Sequence, residues 1–158
     1  MKILETSIKY EYSDFIRDAV KISGKVVMGN NQSKVGLLGI CRGGLPLLTA
    51  VANFMSPKEV KDVYTISIDS DTNTISHADL GEKRFFIAFD DVVSTGGTIR
   101  AVGDYLRAHN AELLEVYCLF RDTDVSLCTG TEIYAQNDKV SSQWVDFPWE
   151  RNFYNDDV

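Results

Sequence analysis

Cysteine is scarce in this sequence: Cys41, Cys118 and Cys128 are odd in number and scattered. That pattern makes neither a disulfide framework nor the close ligand pairs of a zinc site, so reduced thiols with no bound metal are expected. Positive charge is also in deficit. Sixteen Lys and Arg face 23 Asp and Glu, a net charge of -7, which leaves no basic footprint for nucleic acid and no attraction to an anionic membrane. No apolar run approaches the length of a membrane span, and the start, Met1-Lys2-Ile3-Leu4-Glu5, lacks a signal-peptide profile, so a cytoplasmic protein is expected. With no repeat, low-complexity stretch or linker, the chain reads as one domain over residues 1–158. A domain of this length buries roughly 70% of its unfolded surface, enough for a real core.

What is present centres on Phe85 to Val102. Phe85 to Phe89 is an unbroken apolar run of strand length, as in a strand buried on both faces of a mostly parallel sheet. Asp90 and Asp91 follow at its carboxyl end, the edge where open α/β sheets bind ligands. Ser94-Thr95-Gly96-Gly97-Thr98 then permits a tight turn with uncovered N–H groups, and the amphipathic run from Ile99 to Leu106 presents a helix N-terminus. Together these form an anion cradle with hydroxyls as extra donors. Two acids would repel a phosphate placed on them. Their ligand should therefore donate hydrogen bonds, as the 2′ and 3′ hydroxyls of a ribose would while its 5′-phosphate lies in the cradle. The ATP-binding P-loop pattern is excluded because no Lys follows Gly96-Gly97, and the three spaced glycines of a dinucleotide fold are absent.

Elsewhere the chain alternates helices and strands. Ser13 suits a helix N-cap with Asp14 in the first turn, and Phe15, Ile16, Ala19, Val20, Ile22, Val26 and Val27 recur at helical spacing up to Gly29-Asn30-Asn31. Val35 to Ile40 reads as a strand running into Cys41-Arg42-Gly43-Gly44-Leu45-Pro46. Here Arg42 supplies a cation, the two glycines let amides approach a ligand, and Pro46 suits the first turn of a helix through Met55. Val63 to Ile68 reads as a strand and the polar segment Asp69 to Gly81, which includes His77, as a long loop. His109-Asn110 ends the helix after the acid pair, Leu113 to Phe120 is a strand ended by Arg121-Asp122, and Glu132 to Ala135 is a weaker one. Four or five strands separated by helices predict a doubly wound α/β fold with a mostly parallel sheet. The segment Ser142 to Glu150 holds both tryptophans, and Pro148 excludes a helix interior there.

Phe89-Asp90-Asp91-Val92-Val93-Ser94-Thr95-Gly96-Gly97-Thr98 closely resembles the signature by which type I phosphoribosyltransferases bind phosphoribosyl pyrophosphate (PRPP). The resemblance implies that Asp90 and Asp91 hold the ribose diol and that Ser94, Thr95, Gly96, Gly97 and Thr98 hold the 5′-phosphate. Cys41, Arg42, Gly43 and Gly44 resemble the pyrophosphate loop, whose peptide bond before the basic residue is often cis. The loop at 69–81 matches the family's mobile loop. The segment Trp144-Val145-Asp146-Phe147-Pro148-Trp149-Glu150 is similar to that of the xanthine-guanine branch. There it forms a small C-terminal hood in which Trp144 would stack on the base, the Val145 backbone would meet the base edge, and Trp149 would pack in the core. This resemblance implies a Mg2+-dependent transfer of ribose 5-phosphate from PRPP to a free purine base of the 6-oxopurine type, giving a nucleoside 5′-monophosphate and pyrophosphate, catalysed with Asp90, Asp91 and Arg42, in a homo-oligomer (dimer or tetramer). Three positions depart from the pattern. Enzymes for 6-oxopurines usually have Asp where this chain has Ser94, Lys where it has Arg121, and that branch has Asp where it has Glu150. Arg121 can still donate to a base carbonyl, whereas Ser94 is a poor acid or base at neutral pH. A pyrimidine or another base, or a non-catalytic sensor of PRPP or nucleotide, are the alternatives.

Overall fold

A computed structural model describes residues 7–29, 35–55, 62–69, 71–123 and 131–150. Met1 to Glu5, the expected helix end at Asn30-Asn31, and Cys128 lie outside them. In chain order the elements are β1 (Ser7–Lys9), α1 (Tyr12–Gly29), β2 (Val35–Cys41), α2 (Leu45–Phe54), β3 (Val63–Ser67), β4 (Phe85–Val93), α3 (Gly97–Ala108), β5 (Glu112–Asp122), β6 (Glu132–Lys139) and β7 (Trp144–Asp146).

Five strands form a sheet of order β3-β2-β4-β5-β6, and every neighbouring pair is parallel. Its central strands are apolar on both faces because helices cover both. On one face Phe15, Ala19, Ile22 and Val26 of α1 and Leu47, Leu48 and Val51 of α2 pack on Leu37, Ile87, Phe89 and Leu119. On the other, Ile99, Val102 and Leu106 of α3 pack on Leu38, Ala88, Val116 and Cys118. The chain leaves β2 toward β3 and returns on the opposite side at β4. The carboxyl ends of β2 and β4 therefore flank a topological switch point, the ordinary ligand crevice of an open parallel sheet.

Several boundaries differ from the sequence expectation. Helix α1 starts at Tyr12, ahead of Ser13, because Asp14 reaches back to accept the Glu11 N–H at 3.0 Å and closes the first turn there. Strand β4 runs on through the acid pair to Val93, where ladder pairing with β5 continues as Val92 opposite Phe120 and Val93 opposite Arg121. Asp90 and Asp91 thus occupy successive strand positions at the carboxyl end of β4, with their carboxyl groups close enough to interact.

The hood contains a second sheet that sequence patterning does not reveal. β1 and β7 pair in parallel, with Ser7 opposite Trp144 and Lys9 opposite Asp146. Tyr10 and Phe147 meet edge to face at 5.7 Å, and both contact the Phe120 ring, at 5.2 and 6.0 Å. The Tyr10 hydroxyl donates to Asp18 at 2.7 Å, and Asn137 donates to the same carboxylate oxygen at 3.0 Å. A buried polar node thereby ties the hood, α1 and β6 together, with each hydrogen bond contributing about 1 kcal/mol.

Candidate active site

Strand β4 delivers the two acids to the crevice, and their surroundings differ. Asp90 is 8% exposed. Desolvation pushes its carboxyl well above the ordinary range, and the neighbouring Asp91 charge adds to the rise. One of its oxygens accepts the Asp91 N–H at 2.9 Å. Asp91 is half-buried, and its Oδ1 accepts the Val92 N–H at 2.7 Å. A site that disfavours negative charge when empty is matched to a ligand that donates hydrogen bonds or develops positive charge.

After β4 the chain turns through Gly96, whose φ of 80° lies in the left-handed region and suits glycine. Gly96 caps α3 with no side-chain hydrogen bond, so the first turn keeps amides open to an anion. Thr95 Oγ1 accepts the Gly97 N–H at 3.3 Å and is held within the loop. Asp90, Ser94, Thr95, Gly96, Gly97 and Thr98 line a cavity of about 190 Å³. A position 3.4 Å from Asn73 Nδ2 is where a Cβ on Gly97 would stand, so the 69–81 loop reaches this cradle.

The loop after β2 arrives from the other side. Its Cys41–Arg42 peptide is cis. Gly43 lies so close to the acid pair that a Cβ there would stand 2.5 Å from the Asp91 carboxylate, and a Cβ on Gly44 would stand 2.0 Å from the Phe89 carbonyl oxygen. Only glycines let this loop approach β4 so closely. Cys41 is half-buried and Arg42 exposed; Arg42 lines neither cavity described here.

A larger cavity of about 310 Å³ opens between β4 and the hood. Asp91, Ser94, Trp144, Val145, Lys139 and Glu150 are among the residues lining it. It shares Val92 and Ser94 with the smaller cavity, so the two meet at the acid pair. Trp144 is 65% exposed, a flat apolar face open to the pocket, whereas Val145 is buried. Trp149 is half-buried, stacked on Phe147 at 4.8 Å and edge-on to Phe15 at 4.9 Å. Burial, and next the Asp91 charge, raise the Glu150 carboxyl above its usual value.

Arg121 stands apart from the sequence-predicted group. Phe120 faces the hood, so alternation along β5 turns Arg121 to the opposite face and Asp122 back again. The Arg121 guanidinium donates to the Ile133 carbonyl at 3.3 Å and meets Asp138 at 3.4 Å, on β6. The cation lining the larger cavity is Lys139, which sequence patterning does not mark. Its only signal is its place two residues before the Ser141-Ser142 turn.

For Mg2+, the donor chemistry fits. No three His, Cys, Asp or Glu side chains cluster to cage an ion among the described residues, but Mg2+ typically takes one or two carboxylates plus substrate oxygens and water. Asp91 and Glu150 on one cavity wall supply that kind of set. No helix among the described residues is long and apolar enough to cross a membrane.

The profile of the phosphoribosyl transferase domain family matches residues 10–149. Among solved structures, a purine phosphoribosyltransferase from Pyrococcus horikoshii superposes with a TM-score of 0.70 at 20% identity, covering 90% of this chain and 93% of that one. The xanthine-guanine-hypoxanthine phosphoribosyltransferase of Helicobacter pylori gives 0.72 at 20% identity, covering 90% and 92%. The orotate phosphoribosyltransferase of Aeropyrum pernix gives 0.61 at 17% identity, covering 80% and 71%. Identities this low establish a shared fold.

Proposed function

The chain belongs to the phosphoribosyl transferase family and is a phosphoribosyltransferase; we propose that it transfers ribose 5-phosphate from PRPP to a free purine base of the 6-oxopurine type, for nucleotide salvage. The observation that carries this reading is the junction of two cavities at the acid pair, an anion cradle on one side and an aromatic-walled pocket on the other.

In this reading Ser94 to Thr98 and the α3 amides hold the 5′-phosphate, and Asp90 and Asp91 accept hydrogen bonds from the ribose hydroxyls. The C1′–O bond breaks ahead of attack, its electron pair leaves with pyrophosphate, and C1′ becomes cationic. Preorganised carboxylates stabilise that charge most strongly where it develops. Arg42 and the Gly43 amide receive the departing pyrophosphate; the Gly44 N–H is held by the Ile40 carbonyl at 2.8 Å. A base nitrogen held against Trp144 forms the new bond to C1′ and releases its proton to solvent, since Ser94 is no base at neutral pH. Asp91 and Glu150 would hold Mg2+, which when bound would supply the remaining neutralisation of the pyrophosphate.

A second reading, transfer to a pyrimidine or another base, rests on Ser94, which stands where 6-oxopurine enzymes usually carry an acid, and on Arg121 lying outside the pocket. Both readings share the chemistry at Asp91. Asp91→Asn should lower PRPP turnover by about 10²-fold or more while leaving the thermal midpoint nearly unchanged. Wild-type turnover in that variant would count against the assignment.

A further inference from the structure

The turn that leads into Trp144 is held by a buried charge pair. Asp122 and Lys139 are register partners at the tips of β5 and β6, only 5% and 6% exposed. Lys139 Nζ lies 2.5 Å from Asp122 Oδ1. The same ammonium donates to the Gln143 carbonyl at 3.1 Å and to the Val140 carbonyl at 3.4 Å. The ammonium is therefore ion-paired to the sheet at Asp122 and hydrogen-bonded to each end of the next turn. The Gln143 N–H closes that turn onto the Val140 carbonyl at 3.0 Å, and the Gln143 side-chain oxygen accepts the Val140 N–H at 3.1 Å. Trp144 follows at once.

We propose that the Asp122–Lys139 pair is a positioning device for the base: by clamping both ends of the Val140–Gln143 turn to the sheet, it sets where the Trp144 ring stands across the pocket from Asp91. The ammonium is buried and directed at Asp122 and the two turn carbonyls, so Lys139 acts through the turn and not by touching the base. Lys139, Ser141, Gln143 and Trp144 all line the pocket, so loss of the clamp loosens one whole wall. The phosphate cradle lies on α3 and β4, outside the clamp's reach. The inference rests on the base-pocket reading above.

Removing one partner would strand a buried charge, so the informative variant is the double substitution Asp122→Leu/Lys139→Met, compared with Lys139→Arg and Trp144→Ala. Steady-state kinetics with PRPP, Mg2+ and the accepted base should show the KM for base raised about tenfold in the double variant, the scale of a lost aromatic contact. The KM for PRPP and the thermal midpoint should stay near wild type, and Lys139→Arg, which keeps the pair, should restore the base KM. An unchanged base KM in the double variant beside a raised one in Trp144→Ala overturns the clamp and leaves the pocket reading standing. An unchanged base KM in Trp144→Ala overturns both. Equal rises in both KM values also overturn the clamp, because the damage would then be global.

Discussion

Two adjacent glycines allow the fold and the chemistry of the β2 loop to be separated by a single methyl group. A Cβ on Gly44 would stand 2.0 Å from the Phe89 carbonyl oxygen, 2.8 Å from the Ile40 carbonyl oxygen and 2.9 Å from the Ile40 nitrogen. All three are backbone atoms of paired strands and have no rotamer into which to escape. Gly44→Ala should therefore reach or exceed the upper end of overpacking costs, about 3 kcal/mol. For a chain of this size that lowers the thermal midpoint by roughly 10 °C. A Cβ on Gly43 would instead stand 2.5 Å from the Asp91 carboxylate atoms, the free end of a side chain that can rotate. Its displacement forfeits the 2.7 Å hydrogen bond from the Val92 N–H, about 1 kcal/mol, or some 2–4 °C. Moving a catalytic carboxylate by an ångström should lower kcat/KM by about 10²-fold. Thermal unfolding by circular dichroism and PRPP-dependent pyrophosphate release measure the two effects. Wild-type kcat/KM in Gly43→Ala, or equal losses of stability in the two variants, would refute the reasoning.

The buried acid and the metal yield two more expectations. Between the ordinary Asp value of 3.8 and its own raised value, Asp90 keeps a proton in the folded chain that the unfolded chain has lost. Stability therefore falls as pH climbs through that window and stays reduced above it. Asp90→Asn removes the effect: urea unfolding from pH 4 to pH 9 should show the variant gaining on wild type as pH rises, by about 0.5–2 kcal/mol at the top, even as turnover is lost. A gain that shrinks with rising pH would contradict the assignment. Chelation with excess EDTA should abolish pyrophosphate release and leave the affinity for ribose 5-phosphate unchanged, because the amide cradle needs no metal; calorimetry with that ligand checks the second half.

Much of the scaffold is written in local patterns. The Phe85–Phe89 run, the adjoining acids and the Ser94–Thr98 turn are contiguous, so strand, ligand edge and helix start can be read from one stretch. The hood is less legible. β1 and β7 have three residues each, too few for any period to show, and they pair across most of the chain. β6 is an edge strand bonded on one side only, so its end, Gln136 to Lys139, is polar enough to pass for a loop. The orientation of Arg121 depends on parity along β5, which carries a one-residue irregularity opposite Phe86 and Ile87. One such step reverses every later side chain. Lys139 looks like a solvated surface residue until the β5–β6 register brings it to Asp122, 17 positions away.

The most direct test of the central claim is to incubate the protein with PRPP, Mg2+ and a panel of free purines and pyrimidines, following nucleotide by mass spectrometry and pyrophosphate by a coupled assay. The account predicts that at least one 6-oxopurine yields its nucleoside 5′-monophosphate and pyrophosphate in equal amounts. PRPP binding with no nucleotide formed from any base would contradict it.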